Sequence, residues 1–217
     1  MKRTVAIAIA VLVAIGGFWL VRLGDQPEPR DAAVTPRISA PPVVSTAPTP
    51  SFSPEEPEPQ GCDRVDRAFA PRTITVPGVT EQALVVAPAR DANGLPGVAP
   101  LTSEGKAVFA WDREQGIRPG DARGNVLLNA HTWPDGSALG NRLLTDLQTG
   151  DRIVVHGRNA RLCYRVTERV EVLAEEGLVR YYKRNGPPQL AIVVCSGRRL
   201  GPGVWEKRTV WFASPSV

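Results

Sequence analysis

Three polar residues, Cys195, His131 and Arg208, have the side chains needed for acyl transfer through a thiol, and each lies in or beside an apolar, β-type run. A deprotonated cysteine is a strong nucleophile. A histidine can stabilise that thiolate and exchange a proton with an amine, and an arginine can bind an oxyanion. Together these residues predict a cysteine-dependent acyl-transfer site, provided that the fold brings them into one groove.

Cys195 and His131 are each predicted to end a strand. The apolar run 190–194 stops at Cys195, which a Ser-Gly turn follows, and the mostly apolar run 126–130 stops at His131. A side chain at the end of a strand can face a groove instead of the core. A buried core cysteine and a histidine bonded to a backbone carbonyl would give the same patterns, so these two segments alone leave both interpretations open.

Arg208 enters the last predicted strand on the same face as Val210 and Phe212, because side chains alternate along a strand. An arginine among apolar side chains needs an acceptor, and an oxyanion would supply one during turnover. The alternative is a surface arginine that pairs with Glu206 or another acid.

The elements that must position these residues are short strands. Eight runs rich in valine, isoleucine and aromatic residues follow residue 70, with Gly, Pro, Asn and Asp between them. This pattern predicts an all-β fold, either a closed barrel or a sandwich. Leucines spaced four apart predict one short helix over 137–147, and 174–183 is a candidate for a second. The predicted strands are 73–76, 83–87, 107–111, 125–130, 152–156, 162–172, 190–195 and 209–213.

The N-terminal part of the chain differs from the rest. An uncharged apolar run follows Lys2 and Arg3, which predicts a membrane-spanning anchor. A cleaved signal peptide is the alternative, but the run lacks a small-x-small site after it. Either way the remainder lies outside the cytoplasm, and we predict a single-pass cell-membrane protein with an extracellular catalytic domain. The predicted segments are a cytoplasmic tip at 1–4, a transmembrane anchor at 5–23, a Pro-rich disordered spacer at 24–60 and a catalytic domain at 61–217.

The net charge of +4 comes from arginines and lysines that are interspersed with acids. No basic run with interleaved aromatic residues is present in the sequence, which argues against a nucleic-acid partner. No dense acidic loop suggests a calcium site, and the predicted chemistry needs neither a metal nor a cofactor.

The ordered set of motifs resembles the sortase family. His131 stands in an Ala-His-Thr context, Cys195 follows about 60 residues later, and Arg208 lies in the closing strand after Gly203-Val204-Trp205-Glu206-Lys207. The resemblance covers about residues 70–217. It implies a closed eight-stranded sortase-type β-barrel with one or two short helices, and the alanine- and arginine-rich composition suggests a class E or class F type.

The resemblance also implies a reaction and its partners. Cys195 would attack the threonine carbonyl of a Leu-Pro-x-Thr-Gly-like (LPxTG-like) sorting signal, His131 would protonate the leaving glycine amine, and Arg208 would hold the substrate backbone and the oxyanion. An amine of a peptidoglycan precursor, or another amine acceptor, would resolve the acyl-enzyme. The implied partners are therefore LPxTG-like proteins, an amine acceptor and the membrane, and the implied state is a monomer.

The sequence departs from the family at two positions before the nucleophile. Sortases usually carry Thr-Leu-x-Thr-Cys, whereas this chain has Ala191 and Val194 in place of the two threonines. Valine keeps the shape of threonine but loses its hydroxyl. The departure bears on rate and subclass more than on the identity of the nucleophile.

Three cysteines in an exported chain suggest one disulfide and one free thiol. Cys62 opens the folded region and Cys163 lies in a predicted strand, so we expect them to form a bridge that leaves Cys195 free. Two unpaired cysteines are the alternative.

Other classes of protein fit less well. His156 precedes Gly157 in a predicted hairpin turn, where a structural role is expected. L,D-transpeptidases have a cysteine after such a His-Gly pair, but this chain has Arg158, and papain-type proteases place the cysteine before the histidine. A non-catalytic envelope β-domain remains a further alternative, which convergence of Cys195 and His131 in one groove would disfavour.

Overall fold

The computed structural model describes residues 61–63 and 65–216. The predicted tip, anchor and spacer lie outside the described residues. Within the described part, no helix is long and apolar enough to span a membrane. Eight strands of this described part form a closed barrel, accompanied there by one α-helix, α1, at Leu139–Asp146. The strands are β1 Thr73–Val76, β2 Thr80–Val86, β3 Phe109–Trp111, β4 Asn125–Ala130, β5 Arg152–His156, β6 Arg161–Leu173, β7 Gln189–Gly201 and β8 Val204–Ser216.

The closed barrel confirms the predicted fold class. Its strands follow the order β1-β2-β3-β4-β7-β8-β6-β5, and β5 closes the barrel on β1. The pairs β2–β3 and β4–β7 are parallel, and the other neighbours are antiparallel. Strand β7 therefore lies between β4 and β8, which places the segments that carry Cys195, His131 and Arg208 side by side.

Apolar side chains fill the barrel and attach α1 to it. Tyr164 and Trp211 are among the largest fully buried side chains. The predicted leucine face of the helical segment is confirmed, because Leu139, Leu143 and Leu147 are all fully buried. The indole Nε1 of Trp211 donates a hydrogen bond to the carbonyl of Leu147 at 3.1 Å, which fixes the end of α1 against the barrel.

The prediction that a strand ends at Cys195 is wrong. Strand β7 continues to Gly201, and its pairing with β8 shifts register between Ser196 and Arg199. Gly197 has φ of +74°, a conformation that glycine adopts without a steric penalty. The Ser-Gly sequence thus forms a β-bulge instead of a turn, and Cys195 lies immediately before this bulge.

The expected disulfide is present. Cys62 and Cys163 are bonded across 101 residues of sequence, so the start of the described domain is tied to β6. Cys195 is a free, half-buried thiol. Arg152 lies beside the bridge, with Nη2 3.1 Å from the sulfur of Cys163.

Candidate active site

A groove on the outer face of the barrel contains all three predicted site residues. The cavity has a volume of about 420 Å³, and His131, Cys195 and Arg208 all line it. The same cavity is largely walled by apolar and aromatic residues. These include Leu95, Pro96, Val98, Leu178, Tyr181 and Tyr182.

Strand register brings the three residues together. Ala130 at the end of β4 pairs with Val194 of β7, so His131 follows at the level of Cys195. On the other side of β7, Cys195 pairs directly with Arg208 of β8. The predicted alternation along β8 is confirmed as well. Val210 and Phe212 belong to an outer apolar cluster, whose other buried members are Leu127, Tyr181 and Ala191. Trp211 belongs to the larger apolar cluster inside the barrel.

His131 is half-buried and contacts a carbonyl from a distant segment. Its Nε2 lies 2.6 Å from the carbonyl oxygen of Ala99. The backbone of His131 is held by α1, because the amide of Gly140 donates to the His131 carbonyl at 2.8 Å. A Cβ at position 140 would lie 2.4 Å from that carbonyl oxygen, so this approach requires glycine.

Thr132 links the histidine segment to the cysteine segment. Its hydroxyl donates to the carbonyl oxygen of Cys195 at 2.7 Å, and the side chain is buried. Sequence reasoning missed this contact. The only signal for it was a hydroxyl residue directly after His131, next to a strand end.

The surroundings of Cys195 favour the neutral thiol over the thiolate. Burial raises the pKa of the Cys195 thiol above its ordinary value, and the positive charge of Arg208 offsets part of this effect. The resting side chain is therefore mainly a protonated thiol near neutral pH. His131 lines the same groove as this thiol.

Arg208 is held by backbone carbonyls and is not neutralised by Glu206. Its Nη1 donates to the carbonyls of Trp205 at 3.2 Å and Lys207 at 2.9 Å. Glu206 pairs instead with Arg198, at 3.1 Å. The expected alternative, a surface pair between Arg208 and Glu206, is therefore absent from the described residues.

The connection between β2 and β3 forms one wall of the groove. Arg90 anchors it through an ion pair with Asp112, whose side chain is almost fully buried, and through a hydrogen bond to Gln115. Further along, the side-chain amide of Asn129 donates to the carbonyl of Gly97 at 2.9 Å. These contacts join residues more than 20 positions apart, and no local pattern in the sequence signalled them.

Another part of the groove wall contains the second predicted helical segment, which is present as a short 3₁₀ helix at Val179–Tyr182. Asn125 donates to the carbonyls of Arg180 and Tyr181 at 2.8 and 3.0 Å. The Tyr181 hydroxyl donates to the carbonyl of Leu128 at 2.9 Å. The base of this wall is thus fixed to β4, while Tyr182 remains partly exposed at the rim.

The two departures from the Thr-Leu-x-Thr-Cys pattern fall in apolar surroundings. Val194 is 2% exposed and packs inside the barrel, and Ala191 is buried in the outer cluster. Neither replacement leaves a polar partner unsatisfied in the groove. A hydroxyl contact beside Cys195 comes from the neighbouring strand β8 instead, where Thr209 donates to the Ser196 hydroxyl at 2.9 Å.

His156 lies away from the groove. It ends β5, pairs with Thr73 and Arg161 in the sheet, and has Nε2 3.4 Å from the Thr75 hydroxyl. Burial lowers the pKa of His156 below its ordinary value. This placement agrees with the structural role expected for it. Among the described residues, no group of three or more His, Cys, Asp or Glu side chains is arranged to hold a metal ion.

The fold and the site define a class of protein, an eight-stranded β-barrel with a free cysteine in an outer groove. Residues 74–216 match the model of the sortase domain, and the chain belongs to the sortase family, whose members are cysteine transpeptidases. No curated protein sequence matches the chain.

Solved sortase structures share the fold. Sortase A of Listeria monocytogenes is 19% identical with a TM-score of 0.50, and the match covers 70% of this chain and 89% of that one. Sortase C1 of Streptococcus agalactiae, in complex with MTSET, is 14% identical with a TM-score of 0.50, covering 67% and 68%. Sortase C1 of Streptococcus suis is 15% identical with a TM-score of 0.50, covering 68% and 73%. At these identities the likeness concerns the fold.

Proposed function

We propose that this sortase cleaves an LPxTG-like sorting signal between Thr and Gly and transfers the acyl group to an amine of the cell envelope. The observation that carries the proposal is the convergence of Cys195, His131 and Arg208 in one groove, with Cys195 paired directly to Arg208. A non-catalytic β-domain would have no need for this arrangement.

The first half of the reaction forms a thioester. A proton moves from the Cys195 thiol to His131, and the thiolate sulfur bonds to the threonine carbonyl carbon. Arg208 binds the oxyanion of the tetrahedral intermediate. When the intermediate collapses, the C–N bond breaks and the imidazolium of His131 gives its proton to the departing glycine amine.

The second half releases the acyl group. An incoming amine attacks the thioester carbon and transfers a proton to His131. The new C–N bond forms as the C–S bond breaks, and the departing thiolate of Cys195 takes the proton back. Each cycle therefore returns both side chains to their starting protonation states without an oxidant, a reductant or a metal.

The shape and composition of the groove support an extended peptide as substrate. Its walls are mainly apolar and aromatic, as in many ligand sites, and the thiol of Cys195 lines the same cavity. Among the residues that line it, Leu95 and Val98 are about half exposed, and Tyr182 is partly exposed. Apolar side chains of a sorting signal would cover these surfaces on binding.

The proposed setting is the outer face of a cell membrane. Residues 5–23 would anchor a monomeric enzyme, 24–60 would act as a spacer and 61–217 would form the catalytic domain, with class E or class F type as the proposed subclass. The disulfide between Cys62 and Cys163 supports an oxidising, extracytoplasmic compartment, because such bonds rarely persist in the cytosol.

A transpeptidation assay tests the proposal. The full-length chain, kept in detergent, is incubated with several LPxTG-like peptides and an amine nucleophile, and products and acyl-enzyme are followed by mass spectrometry. We expect a thioester on Cys195 and an exchanged product cut after Thr, both lost in Cys195→Ala. If no peptide of the panel gives a Cys195-dependent product, the proposed substrate class is wrong.

A further inference from the structure

The contact between His131 and Ala99 determines which nitrogen of the imidazole carries a proton. The two atoms, Nε2 of His131 and the carbonyl oxygen of Ala99, are 2.6 Å apart. A carbonyl oxygen can only accept a hydrogen bond, so Nε2 must be the donor. In neutral imidazole only one nitrogen bears hydrogen, and Nδ1 is then left with the lone pair.

The Ala99 carbonyl is fixed by tight packing on both sides. Ala99 is 2% exposed. Before it, a Cβ at Gly97 would lie 2.2 Å from the carbonyl oxygen of Ala89, so the chain is in close contact there. After it, a Cβ at Gly105 would lie 1.8 Å from the carbonyl oxygen of Pro100. These contacts leave little room for the carbonyl to turn away from His131.

Asn129 connects this carbonyl to the strand that bears the histidine. Its side-chain amide donates to the carbonyl of Gly97, two residues before Ala99. Asn129 itself lies in β4, two residues before His131. The imidazole and its acceptor are therefore positioned by the same strand, and Asn129 is the side chain that couples them.

We propose that the Ala99 carbonyl, positioned through Asn129, keeps Nε2 of His131 protonated throughout turnover, so that Nδ1 is the atom that exchanges protons with the thiol and the amines. The catalytic part of this inference rests on the proposed function. The assignment of the tautomer rests on the geometry alone. Asn129 acts through another group and is a positioning residue.

The proton steps balance with this assignment. Whenever the imidazole of His131 is neutral, its hydrogen is on Nε2. Nδ1 takes the thiol proton to give an imidazolium, and the same Nδ1 proton then passes to the leaving amine. The other tautomer would leave both Nε2 and the Ala99 carbonyl without a donor. The lost hydrogen bond disfavours that tautomer by roughly tenfold.

Nitrogen-15 NMR of the full-length chain labelled at histidine tests the assignment directly. The chain has only two histidines, and His156→Gln identifies the signals of His131. At a pH where His131 is neutral, we expect a protonated, pyrrole-type Nε2 and a pyridine-type Nδ1. The opposite pattern, with Nδ1 protonated, would overturn the proposal whether or not any peptide is cleaved.

Asn129→Ala tests the positioning role, with Asn93→Ala as its control. Asn93 is an exposed amide in the same connection, so its loss removes the same chemical group without affecting the Gly97 carbonyl. For Asn129→Ala we expect a mixture of the two His131 tautomers and a roughly tenfold to hundredfold lower kcat. Asn93→Ala should match the unmodified chain in both measurements.

The outcomes separate this inference from the proposed function. A protonated Nε2 in an enzyme that acts on no LPxTG-like peptide would leave the inference standing and refute the substrate class. An unchanged tautomer and unchanged kcat in Asn129→Ala would refute the role of Asn129. If Asn129→Ala fails to fold, the spectrum of the unmodified chain still decides the tautomer.

Discussion

Cys195 and Arg208 are direct partners across the antiparallel pair of β7 and β8, and both line the same groove. The positive charge of Arg208 therefore acts on the ionisation of the Cys195 thiol. The guanidinium of Arg208 lowers the pKa of the thiol and so opposes the larger effect of burial, which raises it. The same guanidinium is tied to two backbone carbonyls and has no acid as its partner among the described contacts, so it can bind a developing oxyanion.

Replacement of Arg208 by alanine should destabilise both the thiolate of Cys195 and the oxyanion of the tetrahedral intermediate. We expect kcat/KM to fall by about 10²–10³-fold. The pKa of Cys195 should rise further, because the favourable positive charge is lost, so alkylation by iodoacetamide should need a higher pH. The measurement is the alkylation rate as a function of pH together with the peptide assay. Arg199→Ala, at an exposed arginine of the β7–β8 hairpin, is the control. An unshifted alkylation profile in Arg208→Ala would contradict this account.

Cys195 should be the one titratable thiol of the unreduced chain. The other two cysteines are joined in the disulfide of Cys62 and Cys163, and Cys195 is free. A thiol assay on denatured, unreduced protein should therefore give one thiol per chain and none in Cys195→Ala. Three thiols per chain would rule out the bridge.

Loss of the disulfide between Cys62 and Cys163 should lower the stability of the fold much more than the activity of the groove residues. Replacing both Cys62 and Cys163 by serine releases a closed loop of 101 residues. We expect the free energy of unfolding to fall by about 2–5 kcal/mol. Urea denaturation followed by tryptophan fluorescence measures the change, and reduction of the unmodified chain should reproduce it. Equal midpoints with and without the bridge would refute a stabilising role.

Thr132 should matter for the proposed activity because it fixes the backbone of Cys195. Thr132→Val removes the hydrogen bond to the Cys195 carbonyl, which should cost about 1 kcal/mol of stability and roughly tenfold in kcat. Thr132→Ser, which keeps the hydroxyl, should retain most of the activity. Thr167→Val is the matched control, because Thr167 donates to the carbonyl of Phe212 on the same sheet and is exposed.

A comparable loss of kcat in Thr167→Val would mean that Thr132 acts only through general stability. Melting temperatures of both variants, measured alongside kcat, distinguish a change of fold stability from a change at the thiol.

Restoring the usual threonine at position 194 should not improve the enzyme. The Val194 side chain packs inside the barrel among apolar residues, so a hydroxyl there would be buried. We expect Val194→Thr to lower the free energy of unfolding by about 1–3 kcal/mol, with kcat/KM changed by less than a few-fold. Val126→Thr, another buried position of the same cluster, is the control for stability. A large gain of activity in Val194→Thr would show that valine limits the reaction.

The parts of the site predicted from sequence are those carried by local patterns. Apolar runs that stop at Cys195 and His131, and alternation around Arg208, are visible within single segments, and the order of the three residues resembles a known family. Period-two patterns with turn residues likewise predicted most of the barrel strands. The bulge after Cys195 was not predicted, because a Ser-Gly pair is compatible with both a turn and a bulge.

The contacts that orient the side chains could not be predicted in this way. His131 and Ala99 are 32 positions apart, and Thr132 and Cys195 are 63 positions apart. Such contacts depend on the parallel pairing of β4 with β7 and on the path of the β2–β3 connection. Neither leaves a periodic signal in the sequence, because both are set by packing of the complete barrel.

The position of β7 between β4 and β8 also has a consequence for the folding pathway. Its pairing with β4 joins residues more than 60 positions apart, such as Asn125 and Gln189. Long-range parallel pairings of this kind form slowly, because their loop-closure entropy must first be overcome. We therefore expect partly folded chains, in which β4 and β7 are not yet paired, to be catalytically inert. The rate at which Cys195-dependent turnover recovers during refolding would then report the rate of barrel closure.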